Sequence, residues 1–196
     1  MTTPVDFFFD PGCPFTWRTS RWITEVAGTG AATVTWRLMS LAVLNEGKDI
    51  PEQFRAPMAM GRRALRALAA AEKAGGSDAV GALYTALGTR RHEKGESYSD
   101  ETIAGAVADA GLPESVATAV DDESLDAAVR TSHEDGQAAV GQESGSPILR
   151  LDGVAWFGPV VVPAPTGEEA TRLFDAVKLL ATVPAFSELK TKRGSF

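Results

Sequence analysis

Strand-like sequence occurs only at the two ends of this chain, and that confinement limits the folds open to it more than any other feature. Val5-Asp6-Phe7-Phe8-Phe9 is short, aromatic and ended by Asp10-Pro11-Gly12, which reads as a buried strand running into a turn. Residues 14–27 follow as a helix. Pro14 is tolerated in the first turn, where its missing N–H would be an orphan donor anyway, and Trp17, Trp22, Ile23 and Val26 make one apolar face. Gly28-Thr29-Gly30 closes that helix, and alternation over 33–39 marks a second strand. Strand, helix, strand is the order that pairs strands in parallel. After Gly145 the strand pattern returns. Pro147-Ile148-Leu149-Arg150-Leu151, the turn Asp152-Gly153 and Val154-Ala155-Trp156-Phe157 predict a hairpin, because Asp-Gly supplies the positive φ angles a tight turn needs. A last helix is predicted over 168–182.

Between these ends the composition turns to Ala, Leu, Arg and Glu at helical spacing. Helices are predicted over 60–74, stopped by Gly75-Gly76; over 78–91, capped by Ser77 or Asp78; from Ser99-Asp100-Glu101 to Ala110-Gly111; and over 121–140. The chain therefore reads as an α/β protein whose residues 1–48 and 142–196 form one domain, with 49–141 as an all-helical insertion.

A hydrophobic fraction of 44% in 196 residues is ample for a core. The 26 acidic against 19 basic side chains, a formal charge of −7, oppose attraction to nucleic acid or to anionic lipid. No apolar run approaches membrane-spanning length, and Met1-Thr2-Thr3-Pro4-Val5-Asp6 lacks the features of a targeting segment. The expected compartment is the cytoplasm. A lone cysteine agrees, since secreted domains of this size more often carry paired ones.

That cysteine, Cys13, stands between the first strand and the first helix. A thiol at a helix start has its thiolate favoured by the dipole and by unpaired N–H groups, so a lowered pKa and nucleophilic character are expected. In a Cys-x-x-Cys motif the resolving sulfur stands three residues on; here that place is Thr16. The chain holds no other sulfur able to close a disulfide with Cys13. Thr16 either bonds back to a helix carbonyl or donates its hydroxyl to the thiolate.

Strand, Cys-Pro-x-x at a helix start, strand, helical insertion, Ser-Pro opening a hairpin, and helix is an order that resembles the DsbA-like branch of the thioredoxin superfamily. More narrowly, Phe8-Phe9-Asp10-Pro11 with Cys13-Pro14, Met39-Ser40-Leu41-Ala42-Val43-Leu44-Asn45-Glu46, and Gly153-Val154-Ala155-Trp156-Phe157-Gly158-Pro159 resemble the mycothiol-dependent nitroreductase family. Its active members carry Cys-Pro-Trp-Cys, so Cys13-Pro14-Phe15-Thr16 departs at the second sulfur. The resemblance implies a thioredoxin fold with a large helical insertion. It also implies catalytic roles for Cys13, Thr16 and a Pro147 in cis, whereas sequence alone leaves Pro147 a trans proline opening a strand. Ser146, Asn45 and Phe54 then fall at the pocket beside the thiol, with Pro14, Phe15 and Trp17 as its walls. Without the resemblance, Asn45 reads as a loop or cap residue, Phe54 as a core aromatic, and Trp17 equally as core.

The activity so implied is that of a monothiol oxidoreductase or thiol transferase. It binds no resident cofactor and uses a low-molecular-weight thiol of the mycothiol type as resolving co-substrate on a small electrophilic or disulfide substrate. A mycoredoxin-type reductant fits the same scheme. A kappa-class-like glutathione transferase or isomerase, and a redox-inactive ligand-binding protein of the same fold, are the alternatives. His92 and His133 read as solvated helix-end residues and no metal site is expected. Arg62, Arg63 and Arg66 read either as an attractor for a carboxylate-bearing thiol or, more simply, as the wet face of a helix. The helical faces are apolar enough to pair two chains as a homodimer, although no heptad pattern specifies one.

Overall fold

In the computed structural model, which describes residues 2–192, the two chain ends meet in one sheet. Lys190, Lys192 and Arg193 read in sequence as a charged tail, of which Arg193 lies outside the described residues. β1 (Thr3–Phe9) and β2 (Ala32–Leu38) run parallel in register from Thr3↔Ala32 to Phe9↔Leu38, with α1 (Pro14–Gly28) as the crossover. β3 (Ile148–Leu151) pairs antiparallel with β1 on its other side, and β4 (Val154–Phe157) completes the order β2-β1-β3-β4. Asp152 and Gly153 take φ of 51° and 80° in the expected hairpin turn. α7 (Gly167–Ala181) docks beside α1, where the Trp22 indole donates to Ala170 O at 3.0 Å and its ring tilts against Phe174. This is the α/β thioredoxin arrangement expected, with a large helical insertion between β2 and β3.

The aromatic run in β1 is explained by burial on both faces of a central strand. Val5, Phe7 and Phe9 enter the main core, while Phe8 points the other way into a small cluster with Met39 and Ile148. Each of the three phenylalanines is fully buried and contributes roughly 2–3 kcal/mol of transfer free energy. Above Phe8 lies α6 (Asp126–Val140), where a Cβ at Gly136 would stand 2.9 Å from the ring. Only glycine lets the helix come that close.

Between β2 and α6 the chain forms α2 (Leu41–Leu44), α3 (Glu52–Gly88), α4 (Asp100–Asp109) and α5 (Glu114–Thr118). α3 begins eight residues before the predicted start and runs through the predicted stop, broken rather than ended at Gly75 and Gly76 (φ 65°). Residues 52–57 are exposed, so no core-facing periodicity announces them. Ser77 does not act as a helix cap: its hydroxyl accepts from Trp36 N–H at 2.8 Å on the edge strand β2. Beyond the break, Gly81, Tyr84 and Gly88 form a stripe that receives aromatic rings. The Trp36 indole sits on Gly81, Tyr84 stacks on Phe9 with centroids 3.9 Å apart, and Trp17 sits on Gly88. The predicted 121–140 helix starts at Asp126 instead, because the Asp122 carboxylate accepts from Ser124 N–H and turns the preceding residues into two 3₁₀ turns.

Arg66 fits neither sequence reading, whereas Arg62 and Arg63 stay partly exposed on the outer face of α3 and are ion-paired there. Arg66 is buried and makes a bidentate pair with Asp126 at 2.7 and 2.8 Å, Arg63 grips both Asp121 oxygens, and Arg62 reaches Glu46. Arg63 and Arg66 tie α3 to the residues around the start of α6, and Arg62 ties it to the segment after α2.

Candidate active site around Cys13

β1 hands over to α1 through Asp10-Pro11-Gly12, and the Asp10 side chain builds the turn. Its Oδ1 accepts from Gly12 N–H at 2.8 Å and its Oδ2 from Leu41 N–H at 2.7 Å, so one buried carboxylate joins the turn to the start of α2. Cys13 N–H donates to Asp10 O at 3.2 Å, and Cys13 is the N-cap of α1, its carbonyl accepting from Trp17 N–H at 3.0 Å. Opposite stands Ser146, joined to Pro147 by a cis peptide bond, the geometry the resemblance implied. The Cys13 thiol donates to Ser146 O, with Sγ 3.7 Å from the oxygen. The Ser146 hydroxyl accepts from Asp10 N–H at 3.0 Å and lies 2.8 Å from the Thr16 hydroxyl. The position of a resolving sulfur is thus held by a pair of hydroxyls.

The helical block completes the surroundings. Pro11 O accepts from Tyr98 OH at 2.6 Å and from His92 Nε2 at 2.8 Å, which fixes His92 as the Nε2–H tautomer, since a carbonyl can only accept. The His92 ring stacks on Trp17 with centroids 5.8 Å apart, and the Arg21 guanidinium lies 4.0 Å from the centre of the Trp17 ring.

Burial decides the electrostatics. Cys13 is 8% exposed, and desolvation pushes its thiol above the ordinary 9.0. The Thr16 hydroxyl and the Thr16 and Phe15 amides pull it down by less, and the nearby Asp10 carboxylate adds to the rise. The expected lowered pKa is therefore overturned: the amides of the helix start are present, but the cost of an ionised sulfur away from water is larger. Burial likewise raises Asp10 from 3.8 to about 6 against its two amide donors. It lowers His92 from 6.5 to about 4, assisted by Arg91 and Arg18.

The other sequence-identified residues divide. Thr16 is fully buried and Ser146 nearly so, both against Cys13, while Pro14 is exposed and Phe15 half-buried on the first turn of α1. Trp17 is 1% exposed and belongs to the floor under the turn, the core alternative for that residue. Asn45 ends α2 with its side-chain amide donating to Leu41 O at 2.7 Å. Phe54, 48% exposed on the first turn of α3, is no core aromatic. Neither histidine is a solvated helix end: His133 is buried beneath Ser40 N–H. Asp10, His92 and Tyr98 are the site residues that sequence reasoning passed over. Asp10 reads only as a turn former, and the other two lie 81 and 87 residues from the carbonyl they bind. Among the described residues no three His, Cys, Asp or Glu side chains converge to hold a metal ion, and no helix is long and apolar enough to cross a membrane. A cavity of about 620 Å³ lies along α3 between Trp36, Thr85, Arg90 and Asp109, and none of its lining residues is a member of the Cys13 cluster.

A cysteine at the start of α1, faced by a cis-proline on the neighbouring strand in a thioredoxin core with a helical insertion, defines the DsbA-like class. The family represented by the mycothiol-dependent nitroreductase Rv2466c matches residues 12–191, and the chain belongs to this Rv2466c-like family of thiol-dependent oxidoreductases. It is 34% identical over 202 residues to the uncharacterized protein Rv2286c of Mycobacterium tuberculosis, covering 97% of this chain and 82% of that one. Among solved structures it resembles 2-hydroxychromene-2-carboxylate isomerase (TM-score 0.63, 14% identity, 92% of this chain and 95% of that chain). It also resembles the cytosolic disulfide reductase DsbM from Pseudomonas aeruginosa with GSH (TM-score 0.59, 15% identity, 89% and 99%). At such identities these two likenesses bear on the fold alone.

Proposed function

We propose that this protein is a monothiol exchange enzyme: Cys13 attacks the disulfide of a low-molecular-weight thiol, carries the adduct, and yields it to a second thiol. The observation that carries this reading is the single sulfur at the α1 N-cap, 3.7 Å from Ser146 O, with a hydroxyl pair where a resolving sulfur would stand. In the first step the Cys13 proton leaves to solvent. The thiolate then forms a new S–S bond as the substrate disulfide breaks, and one equivalent of small thiolate departs. In the second step an external thiolate attacks the substrate sulfur of the adduct, forming a small-molecule disulfide and restoring Cys13 as thiolate. The Thr16 hydroxyl and the amides of Phe15 and Thr16 favour that ionised sulfur in both steps. Pro14 and Phe15 on the outer first turn are what an arriving conjugate meets.

A sulfur whose pKa is raised is a strong nucleophile once ionised and a poor leaving group. A slowly released Cys13 adduct is the outcome this predicts. Membership of a family named for mycothiol dependence supports mycothiol as the thiol; in this reading a mycoredoxin-type protein is the other agent that removes the adduct, and the exchange runs in the cytoplasm. The test is intact mass after incubation with mycothiol disulfide. One adduct is expected on the native chain, released by free thiol and absent from Cys13→Ser. A chain that iodoacetamide alkylates at Cys13 but that takes up no mycothiol would overturn the proposal. One observation favours a second reading: a protonated Cys13 donating to Ser146 O can hold a reduced thiol without reacting, as a kappa-class-like transferase or isomerase requires. Saturable binding of reduced mycothiol with no adduct would select it.

A further inference from the structure

We propose that His92 and Tyr98, supplied by the helical block, are positioning residues for the Cys13 sulfur; the inference builds on the reading of Cys13 as the nucleophile. The Pro11–Gly12 peptide is gripped at both ends. Its carbonyl accepts from Tyr98 OH at 2.6 Å and His92 Nε2 at 2.8 Å, and its N–H donates to Asp10 Oδ1 at 2.8 Å. A peptide plane held in this way cannot rotate, and the next residue in the chain is Cys13. The Cys13 N–H is in turn bound to Asp10 O and its carbonyl to Trp17 N–H. The direction in which Sγ leaves the backbone, and hence its seat 3.7 Å from Ser146 O at the uncapped start of α1, depends on that plane.

The donors are themselves fixed. His92 lies in a π-helical turn, Thr89–Glu93, that follows α3, a local widening of the helix often found at functional sites. Its ring is stacked on Trp17, and Trp17 in turn fills the space left by Gly88. Arg90 in the same turn is tied to Asp109 at 2.8 Å and to Glu96 at 3.3 Å, which spans the segment leading to Tyr98. Tyr98 immediately precedes Ser99, the N-cap of α4. Two side chains of the helical block, each more than seventy residues from the thiol in sequence, thus converge on one carbonyl beside it.

The experiment is the pH profile of Cys13 alkylation by iodoacetamide, with unfolding measured in parallel. In Tyr98→Phe/His92→Phe an aromatic ring remains at each position and both donors are lost. The sulfur stays buried but is no longer fixed at the uncapped start of α1, so the midpoint rises and the rate at pH 7.5 falls about tenfold, while the limiting rate in alkali is kept. Tyr98→Phe alone, which is isosteric and retains the His92 donor, slows the reaction about threefold, and His92→Gln, whose amide replaces the Nε2–H, stays within about twofold of the native chain. A double variant that loses stability but keeps the native profile would overturn the proposal, as would a midpoint that falls because the turn merely opens to water. Should the double variant not fold, Tyr98→Phe with an unchanged profile overturns it too. Alkylation requires only the nucleophile, so native alkylation without exchange of mycothiol would count against the proposed function and leave this inference standing.

Discussion

The N-termini of α1 and α4 are built on opposite plans. At α4 the Ser99 hydroxyl accepts from Thr102 N–H at 3.2 Å, Asp100 and Glu101 follow in the first turn, and the carboxylates stand in water. At α1 the cap is Cys13, which makes no side-chain cap bond; Pro14 removes one donor, and no acidic residue follows. The helix start that would gain most from an anion is therefore the one that keeps its side chain neutral. A helix dipole contributes about 0.3–2 kcal/mol, whereas full burial moves an ionisable group by up to about 3–5 pKa units. Position at a helix end fixes the sign of one effect. Access to water fixes which effect prevails.

The largest break in this contrast is expected from Gly88→Ala. Its Cβ would stand 2.1 Å from the Trp17 ring, against the rigid edge of an indole rather than a flexible chain end. Trp17 must move, and with it the floor on which the α1 start and His92 rest. We expect a loss of about 3 kcal/mol in denaturant unfolding, together with faster Cys13 alkylation at neutral pH as water reaches the turn. Unchanged stability would show that the seating of Trp17 on α3 is not as close as described.

A pH experiment sharpens the same point with two groups on one turn. Folded Asp10, raised to about 6, holds its proton more tightly than the unfolded chain does, so its contribution to stability is present at low pH and is lost as pH rises from about 4 to 6. Folded His92, lowered to about 4, resists its proton, so its contribution has the opposite sign and grows as pH rises from about 4 to 6.5. The two slopes oppose each other across the same window. Replacing His92 by Phe removes the second, and the stability difference between native and His92→Phe proteins should widen in favour of the native chain by on the order of 3 kcal/mol between pH 4 and pH 7. A constant difference across that range would mean that His92 is more open to water than its place under Trp17 implies.

Much of this fold is legible in the sequence, because the signals are local. Three consecutive phenylalanines mark the central strand, Asp152-Gly153 marks the hairpin, and Gly75-Gly76 marks the break in α3. The first turns of α3 were not legible, since exposed residues with Pro57 among them carry no core-facing stripe. At the site, Cys13 and Thr16 announce themselves through their neighbours, and the cis Ser146–Pro147 bond follows from resemblance rather than from any local rule. The direction of the Cys13 shift is not legible in sequence, because the burial responsible comes from across the fold, Ser146 lying 133 residues away. His92 and Tyr98 were missed for the same reason: a hydrogen bond to a distant carbonyl leaves no trace in spacing or composition.

Ser99→Ala tests the exposed member of the pair and gives the smallest effect. The substitution removes the acceptor for Thr102 N–H and the 3.1 Å bond to the Thr102 hydroxyl, while the acidic first turn of α4 remains to favour the helix start. Loss of such a cap costs about 1 kcal/mol, read as a shift in the denaturant midpoint. Because Tyr98 precedes Ser99 in the chain, the variant also measures how rigidly α4 holds its donor against Pro11 O. If the grip rests on Tyr98 and His92 themselves, the Cys13 alkylation profile stays native despite the lost stability. A slower profile would place part of the positioning in the cap, and the two helix starts would then be coupled rather than merely contrasting.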